Sequence, residues 1–134
     1  MNKHFTIGYG GMTVHDFIKK LIDAGVDTVF DIRTFPKSWN ENFNHKKLES
    51  LLKKKGIRYK WVRELGGKIK FDDSVRIAHF PQDSDGKVAF MCSEKSRTNC
   101  HRKELAELFI RKFGAEIVEL NDEKAEPTQD ELPF

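Results

Sequence analysis

The sequence predicts an α/β fold, a three-layer sandwich in which helices cover both faces of a mostly parallel sheet of about five strands. Short apolar runs alternate along the chain with segments of helical periodicity, and this alternation is typical of parallel sheets built from strand–helix–strand units. The length of 134 residues is usual for one domain, and eleven Phe provide mass for a core. Residues 1–120 are therefore expected to form a single α/β domain.

Five apolar or β-branched runs are predicted as strands, because each is short and bounded by glycine, proline or polar residues. In chain order they are Phe5–Gly8, Val26–Ile32, Ile57–Val62, Val88–Cys92 and Glu116–Leu120. The fourth run is almost wholly apolar, which is typical of a central strand buried on both faces.

Three segments between these runs carry the periodicity of amphipathic helices. The first follows Thr13, which is placed to cap it, and ends at Gly25. The second follows Asn44 as its cap and ends near Gly56, and the third ends at Gly114. These glycines are placed where helices commonly stop, so the predicted boundaries agree with the periodicity.

Two segments are predicted to lack regular structure, residues 34–44 and residues 64–86, because both are rich in turn-forming residues and lack a clear period. The predicted core combines one apolar face of each helix with the strands. It consists of Phe17, Leu21, Val29, Phe30, Leu51, Phe90, Leu105 and Phe109.

Charge is unevenly distributed, although the net charge is only +3. Residues 46–76 contain eleven Lys or Arg and four Asp or Glu, whereas residues 121–134 contain five carboxylates and one lysine. A basic middle favours anionic partners such as phosphates or nucleic acid, although lysines on solvated helix faces give the same composition. The acidic tail, residues 121–134, is expected to be mobile.

Several classes of protein are excluded by what the sequence lacks. No run approaches the ~20 apolar residues of a membrane span, and the first residues lack the apolar region of a signal peptide. A cytoplasmic protein without a membrane partner is therefore expected. Two cysteines do not make a disulfide framework, and the spacing of Cys92, Cys100 and His101 matches no standard zinc site, so we expect no metal and no cofactor.

Polar residues follow the first three predicted strands, and ligands of open parallel sheets bind outside the carboxyl ends of the strands. The first strand leads into Gly8 and Gly10, whose backbone N–H groups are placed to cradle an anion. The second ends in Asp31 and Arg33, and a guanidinium can clamp an anion. Glu64 follows the third strand as a second carboxylate. Each of these features also has a purely structural interpretation. The glycines can form a tight turn, Asp31 and Arg33 can form a structural ion pair, and Glu64 can be an exposed loop residue.

The densest cluster of reactive side chains surrounds the end of the fourth strand. Cys92 and Glu94 lie at that end. Cys100, His101 and Arg102 lie at the start of the following helix. Because a helix N-terminus stabilises a thiolate, Cys100 is expected to be the more reactive thiol. Burial at the strand end disfavours the thiolate of Cys92.

Together these motifs resemble the family called domain of unknown function 488. The resemblance covers residues 5–120 with the motifs in the expected order. They are Thr6-Ile7-Gly8, a helix with Phe17, Asp31-Ile32-Arg33-Thr34-Phe35-Pro36, Phe43-Asn44, Gly56-Ile57-Arg58-Tyr59, Glu64-Leu65-Gly66-Gly67, Met91-Cys92-Ser93-Glu94 and Cys100-His101-Arg102. Members are small prokaryotic α/β proteins with no established activity, so the resemblance implies a fold and a cleft rather than a reaction. Residues 68–90 are fewer than members usually carry there.

A weaker resemblance is to rhodanese domains. Asp31-Ile32-Arg33 after an apolar strand is similar to their Asp-x-Arg motif, and Cys92 before a loop and a helix is similar to their sulfur-carrying cysteine. The chain departs from that pattern at Glu94, which places a negative charge where the rhodanese cradle needs N–H groups. This resemblance implies sulfur transfer through a cysteine.

Three functional hypotheses follow. The first is an enzyme or a binding protein for a phosphate-bearing or nucleotide-like ligand in a cleft at the carboxyl ends of the strands. Its roles are an anion clamp of Arg33 and Arg102, a general base from Asp31, Glu64 or Glu94, and a nucleophile or acid–base pair of Cys100 and His101. The second is a nucleic-acid-binding module that uses the basic 46–76 surface, with Trp39, Tyr59 and Trp61 as stacking groups. The third is rhodanese-like sulfur transfer.

Overall fold

Five parallel strands form the sheet of this computed structural model, which describes residues 3–94 and 101–121. The strands are β1 (Lys3–Gly8), β2 (Thr28–Asp31), β3 (Arg58–Trp61), β4 (Val88–Cys92) and β5 (Glu116–Glu119). Their order across the sheet is β3-β2-β4-β1-β5, and each neighbouring pair is parallel. The predicted α/β fold with a mostly parallel, five-stranded sheet is therefore confirmed.

Four helices accompany the strands in the part of the chain that the structure describes. They are α1 (Val14–Ala24), α2 (His45–Lys53), α3 (Asp73–Ala78) and α4 (His101–Phe113). Thr13 caps α1 as predicted, because its hydroxyl accepts the N–H of Asp16 at 3.0 Å, and Gly25 ends the helix with a left-handed backbone. Asn44 precedes α2 as predicted, but its side chain makes no cap, since Oδ1 accepts the N–H of Ser38 at 2.7 Å.

The prediction of irregular structure for residues 64–86 is wrong in part. The segment contains α3 and the short 3₁₀ turn Asp83–Asp85, and a further 3₁₀ turn, Arg63–Leu65, overlaps its start. Asp72 caps α3 by accepting the N–H of Val75. With six residues this helix is too short for an apolar periodicity to stand out in the sequence.

Side chains alternate between the two faces of the sheet, so the protein has two apolar cores. Helices α1 and α2 pack on the face that carries Val29, Ala89 and Met91. Helices α3 and α4 pack on the face that carries Phe30 and Phe90. Seven of the eight predicted core residues are buried, whereas Leu51 is partly buried against the first core.

The order of the strands places a crevice beside β4. Strands β1 and β2, which flank β4, lead into helices on one face of the sheet, whereas β4 leads into α4 on the other face. Chain segments leaving neighbouring strands in opposite directions open a gap at the carboxyl edge of the sheet. In open α/β sheets ligands bind at such a switch point.

Some sequence-based expectations concern residues outside the described ranges. Cys100 and residues 122–134, which make up nearly all of the acidic tail, are among them. Among the described residues, no helix has both the length and the apolar character needed to span a membrane.

The central position of Phe30 predicts a large loss of stability for Phe30→Ala. The ring is 4% exposed and meets Phe90 edge-on, with ring centroids 5.7 Å apart. The cavity left by the substitution should lower the free energy of unfolding by ~3–5 kcal/mol in urea denaturation. Phe35→Ala removes a ring that is 61% exposed, and it should change the free energy of unfolding by less than about 0.5 kcal/mol. A loss below about 1 kcal/mol for Phe30→Ala would contradict the central position of β2.

Burial of His4 predicts that the protein becomes less stable in mild acid. Nδ1 of this ring accepts the N–H of Val88 at 3.0 Å, which requires an unprotonated nitrogen. Burial lowers the pKa of His4 below its ordinary value of 6.5, although Asp85 acts in the opposite direction. The unfolded chain therefore binds the proton more readily than the folded protein. The neutral His4 ring contributes its full stabilisation above about pH 6.5, and this stabilisation is lost as the pH falls below that value.

The measurement is urea unfolding at about pH 5 and about pH 7.5. His4→Gln should reduce the difference between the two free energies of unfolding, whereas His15→Gln, which alters an exposed ring, should leave it unchanged. An equal pH dependence in the wild type and His4→Gln would show that His4 is not the group responsible.

Candidate functional site

A cavity of about 540 Å³ opens at the carboxyl edge of the sheet, at the crevice beside β4. We call it the edge cavity. Its walls come from residues 33–37 after β2, residues 67–68 after β3 and residues 92–94 at the end of β4, together with His101 at the start of α4. Three strands and one helix therefore contribute to a single concave site.

One wall rests on a buried ion pair between Asp31 and Arg33. Nε and Nη2 of Arg33 donate to the two carboxylate oxygens of Asp31 at 2.8 and 2.6 Å, and Nη1 donates to the Tyr9 hydroxyl at 3.2 Å. The Tyr59 hydroxyl donates to Asp31 at 2.5 Å. Each nitrogen of this guanidinium already has a protein acceptor, and Asp31 already accepts from two side chains. The pair therefore stiffens the wall.

Charge and burial fix the protonation states in this wall. Burial opposes the charged form of Arg33, but the hydrogen bonds and the negative charge of Asp31 outweigh it and raise the pKa of Arg33 above its ordinary value. Burial and the Asp31 carboxylate together raise the pKa of the Tyr59 phenol. Arg33 is thus charged and Tyr59 protonated throughout the physiological range.

A second buried guanidinium, that of Arg102, lies behind the opposite wall. Its Nε and Nη2 donate to the carboxylate of Glu119 at 3.1 and 2.8 Å, and its Nη1 donates to Cys92 Sγ at 3.0 Å and to the Glu94 carbonyl at 2.9 Å. Burial opposes the charge, but Glu119 and the Cys92 sulfur favour it, so the pKa of Arg102 is raised. Arg102 thereby connects α4 to the ends of β4 and β5.

The two arginines lie on opposite faces of the sheet. Arg33 contacts Asp31, which points to the α1 and α2 face, whereas Arg102 contacts Cys92, which belongs to the core on the α4 face. The structure does not bring the two guanidinium groups together, and Arg33 is the one that lines the edge cavity.

Gly8 is required by a close approach of the chain after β4. A Cβ at this position would lie 1.5 Å from the Glu94 carbonyl oxygen. The N–H of Gly8 donates to Asn121 Oδ1 at 2.7 Å, and its carbonyl accepts from Asn121 Nδ2 at 3.0 Å. Gly10 lies in the turn after β1 and is not among the residues of the edge cavity.

The ring of His101 has a fixed orientation in the wall of the edge cavity. Its Nε2 lies 2.9 Å from the carbonyl oxygen of Ile32, which can only accept, so Nε2 carries a proton. The ring packs against Gly67, where a Cβ would come within 2.6 Å of His101 Cγ. The second glycine of the Leu-Gly-Gly motif is thus explained by the space that this histidine takes.

The predicted site residues fall into three groups. Four line the edge cavity: Arg33, Cys92, Glu94 and His101. Three support it from behind by direct contacts: Gly8, Asp31 and Arg102. Glu64 and Gly10 lie apart from the edge cavity, and Glu64 is part-exposed with its carboxylate 3.8 Å from His79. Cys100 is outside the described residues.

Sequence reasoning missed several residues of the edge cavity, above all Phe35, Lys37 and Lys68. All three side chains are exposed, and no carboxylate of residues 3–94 and 101–121 forms an ion pair with either lysine. The Lys68 N–H donates to Thr34 Oγ1 at 3.0 Å, which fixes the Leu-Gly-Gly turn against the segment after β2. The sequence signal for Phe35 was its place in the motif after β2, and the signal for Lys37 and Lys68 was that each directly follows a motif.

The basic stretch 46–76 does not form one surface. Lys60 and Lys70 pair with carboxylates of other segments at 2.7 and 2.8 Å. Residues 53–55 end α2 just before β3 and therefore lie at the amino edge of the sheet, away from the edge cavity. Within the described ranges, no three His, Cys, Asp or Glu side chains are placed to hold a metal ion.

Comparison with known proteins gives one match. No curated protein and no solved structure has a significant similarity to the chain. The family model described as Domain of unknown function DUF488 matches residues 13–79, which is half of the chain. The match includes the motifs after β2 and β3 that form two walls of the edge cavity. The sequence motifs and this match agree, and the chain belongs to the DUF488 family.

Proposed function

We propose that the edge cavity binds a phosphate-bearing, nucleotide-like ligand. The observation that carries this proposal is the combination of side chains in the cavity wall, which includes two lysines, one carboxylate and one exposed aromatic ring. Lys37 and Lys68 suit a phosphate, Glu94 suits a hydroxyl or amino group, and the ring of Phe35 suits a base. A nucleotide presents these three kinds of group together.

The positive charge of the cavity is available to a ligand. Lys37 and Lys68 are exposed, and neither ammonium group is paired with a carboxylate among the described residues. Arg33 adds a fixed positive charge behind them, although Asp31 partly offsets it.

The size of the cavity agrees with this ligand class. Sites for small molecules and cofactors occupy roughly 300–1,000 Å³, and the edge cavity measures about 540 Å³. A reaction at this site would take Glu94 as general base, because Glu94 lines the cavity, and His101 as its acid–base partner.

One contact favours a second candidate function, sulfur transfer through Cys92. The guanidinium of Arg102 lies 3.0 Å from Sγ, and such a contact favours the reactive thiolate. Two features weigh against this candidate. Cys92 is only 1% exposed, and the neighbouring Glu94 carboxylate repels anionic sulfur donors such as thiosulfate. The phosphate-bearing ligand therefore remains the leading proposal.

Neutralising either lysine should weaken binding of a nucleotide. We expect adenosine monophosphate, titrated by calorimetry, to bind the wild type and to bind Lys37→Gln and Lys68→Gln roughly tenfold more weakly, since each variant loses a charged hydrogen bond to phosphate. Lys54→Gln is the matched control, because it makes the same change of charge at the amino edge of the sheet. No binding to the wild type, or an equal loss in the control, would refute the proposed site.

Neutralising Glu94 should have opposite effects on two ligands. Glu94→Gln removes a charge that repels phosphate, so inorganic phosphate should bind severalfold more tightly. The same change weakens the acceptor for a hydroxyl or amino group, so adenosine monophosphate should bind more weakly. Calorimetry with both ligands measures the two effects. Tighter binding of both ligands would mean that Glu94 does not contact the nucleoside, and the site would then be one for a simple anion.

A further inference from the structure

A second cavity adjoins the edge cavity. It measures about 400 Å³, and Lys37 lines both. Its other lining residues are Ser38, Asn44, His45 and Lys46, so no carboxylate is among them. Lys37 therefore connects the linings of the two cavities, which together give a basic surface along the segment that joins β2 to α2, and the second cavity has a lysine of its own.

The loop that carries this surface is held in one arrangement by its own hydrogen bonds. The N–H of Ser38 donates to Asn44 Oδ1 at 2.7 Å, and the N–H of His45 donates to the Pro36 carbonyl at 3.1 Å. The N–H of Asn40 donates to the Ser38 hydroxyl at 3.2 Å. Asn44 thus serves this loop in place of capping α2, and these hydrogen bonds need no ligand to complete them.

Two exposed aromatic rings accompany the lysines. Trp39 is fully exposed and lies in the loop between Ser38 and Asn44, which both line the second cavity. Phe35 is 61% exposed and lines the edge cavity. The other predicted stacking groups lie outside both cavities: Trp61, 44% exposed, donates through Nε1 to the Arg33 carbonyl at 2.8 Å, and the Tyr59 hydroxyl donates to Asp31. Trp39 and Phe35 are therefore the rings that this surface offers to a base.

We infer that the two cavities hold consecutive nucleotides of a single-stranded nucleic acid. This inference rests on the proposed nucleotide site and extends it. Lys37 and Lys68 would bind one phosphate in the edge cavity. The second cavity has no carboxylate in its lining, so Lys46 can bind a further phosphate there. Bases can stack on Phe35 and Trp39 only when they are not stacked within a duplex, and lysines beside exposed aromatic rings are the usual platform for single strands.

The test is fluorescence anisotropy with labelled single strands of about twelve thymidylates or uridylates, compared with a duplex of equal length and with adenosine monophosphate as competitor. The two strands distinguish DNA from RNA, and tight binding of either supports the inference. We expect a single strand to bind at least about tenfold more tightly than the mononucleotide, and more tightly than the duplex.

Substitutions separate the two cavities. Trp39→Ala and Lys46→Gln should each weaken strand binding by about tenfold and leave the affinity for adenosine monophosphate unchanged, because neither side chain lines the edge cavity. Lys68→Gln should weaken binding of both the strand and adenosine monophosphate, and Lys54→Gln should weaken binding of neither. Lys46→Gln should also flatten the dependence of strand affinity on salt by about 0.7 in the logarithmic slope.

Three results would overturn the inference. Strand binding no tighter than that of the mononucleotide would leave the nucleotide site and remove the second cavity from the function. Equal binding of strand and duplex would indicate attraction to charge without stacking. Strand binding that depends on Lys46 but not on Lys68, with no binding of adenosine monophosphate, would refute the proposed function itself and confine the strand to the second cavity.

Discussion

The guanidinium of Arg102 is the group on which the carboxyl edge of this sheet depends. It is completely buried, and it binds the Glu119 carboxylate on β5, the Cys92 sulfur on β4 and the Glu94 carbonyl just beyond β4. A buried charge without its partner is costly, and removal of one member of such a pair destabilises a protein by ~3–5 kcal/mol. Arg102 therefore fixes the position of Glu94 just after β4, where residues 92–94 form part of the wall of the edge cavity.

A second ion pair performs the same task on the other face of the sheet. Asp31 and Arg33 join through two hydrogen bonds, and Tyr59 brings the end of β3 to the same carboxylate. The crevice thus has a buried, fully bonded arginine on each side. Since both guanidinium groups are occupied by carboxylates, the charge left for a ligand belongs to exposed lysines. Planar, weakly hydrated guanidinium groups suit buried pairs, whereas flexible ammonium groups suit a soluble anion.

The fold was predictable from the sequence because its signals are local. The apolar run Val88–Cys92, the cap at Thr13 and the stop at Gly25 each act within a few residues. The site was less predictable because its contacts join distant positions. Arg102 stands two residues after Cys100, yet it contacts Cys92, ten residues away, and Glu119, seventeen residues away. Lys37 and Lys68 lie in loops, and only the folded sheet brings their segments to one cavity.

Net charge along a stretch of sequence does not reveal whether its basic side chains share one surface, as the basic residues of this chain demonstrate. The stretch 46–76 holds eleven Lys or Arg, but the fold sends them to different places: Lys60 and Lys70 pair with carboxylates, and residues 53–55 lie at the opposite edge of the sheet. Of that stretch, only Lys46, Gly67 and Lys68 line the two cavities, and the other lining residues come from residues 33–45, residues 92–94 and His101. Within residues 3–94 and 101–121, no carboxylate forms an ion pair with Lys37 or Lys46 of the segment 33–46, and hydrogen bonds within that segment hold its loop. The hydrogen bonds are local to the segment, whereas the meeting of Lys37 with Lys68 in one cavity requires the strands to lie side by side.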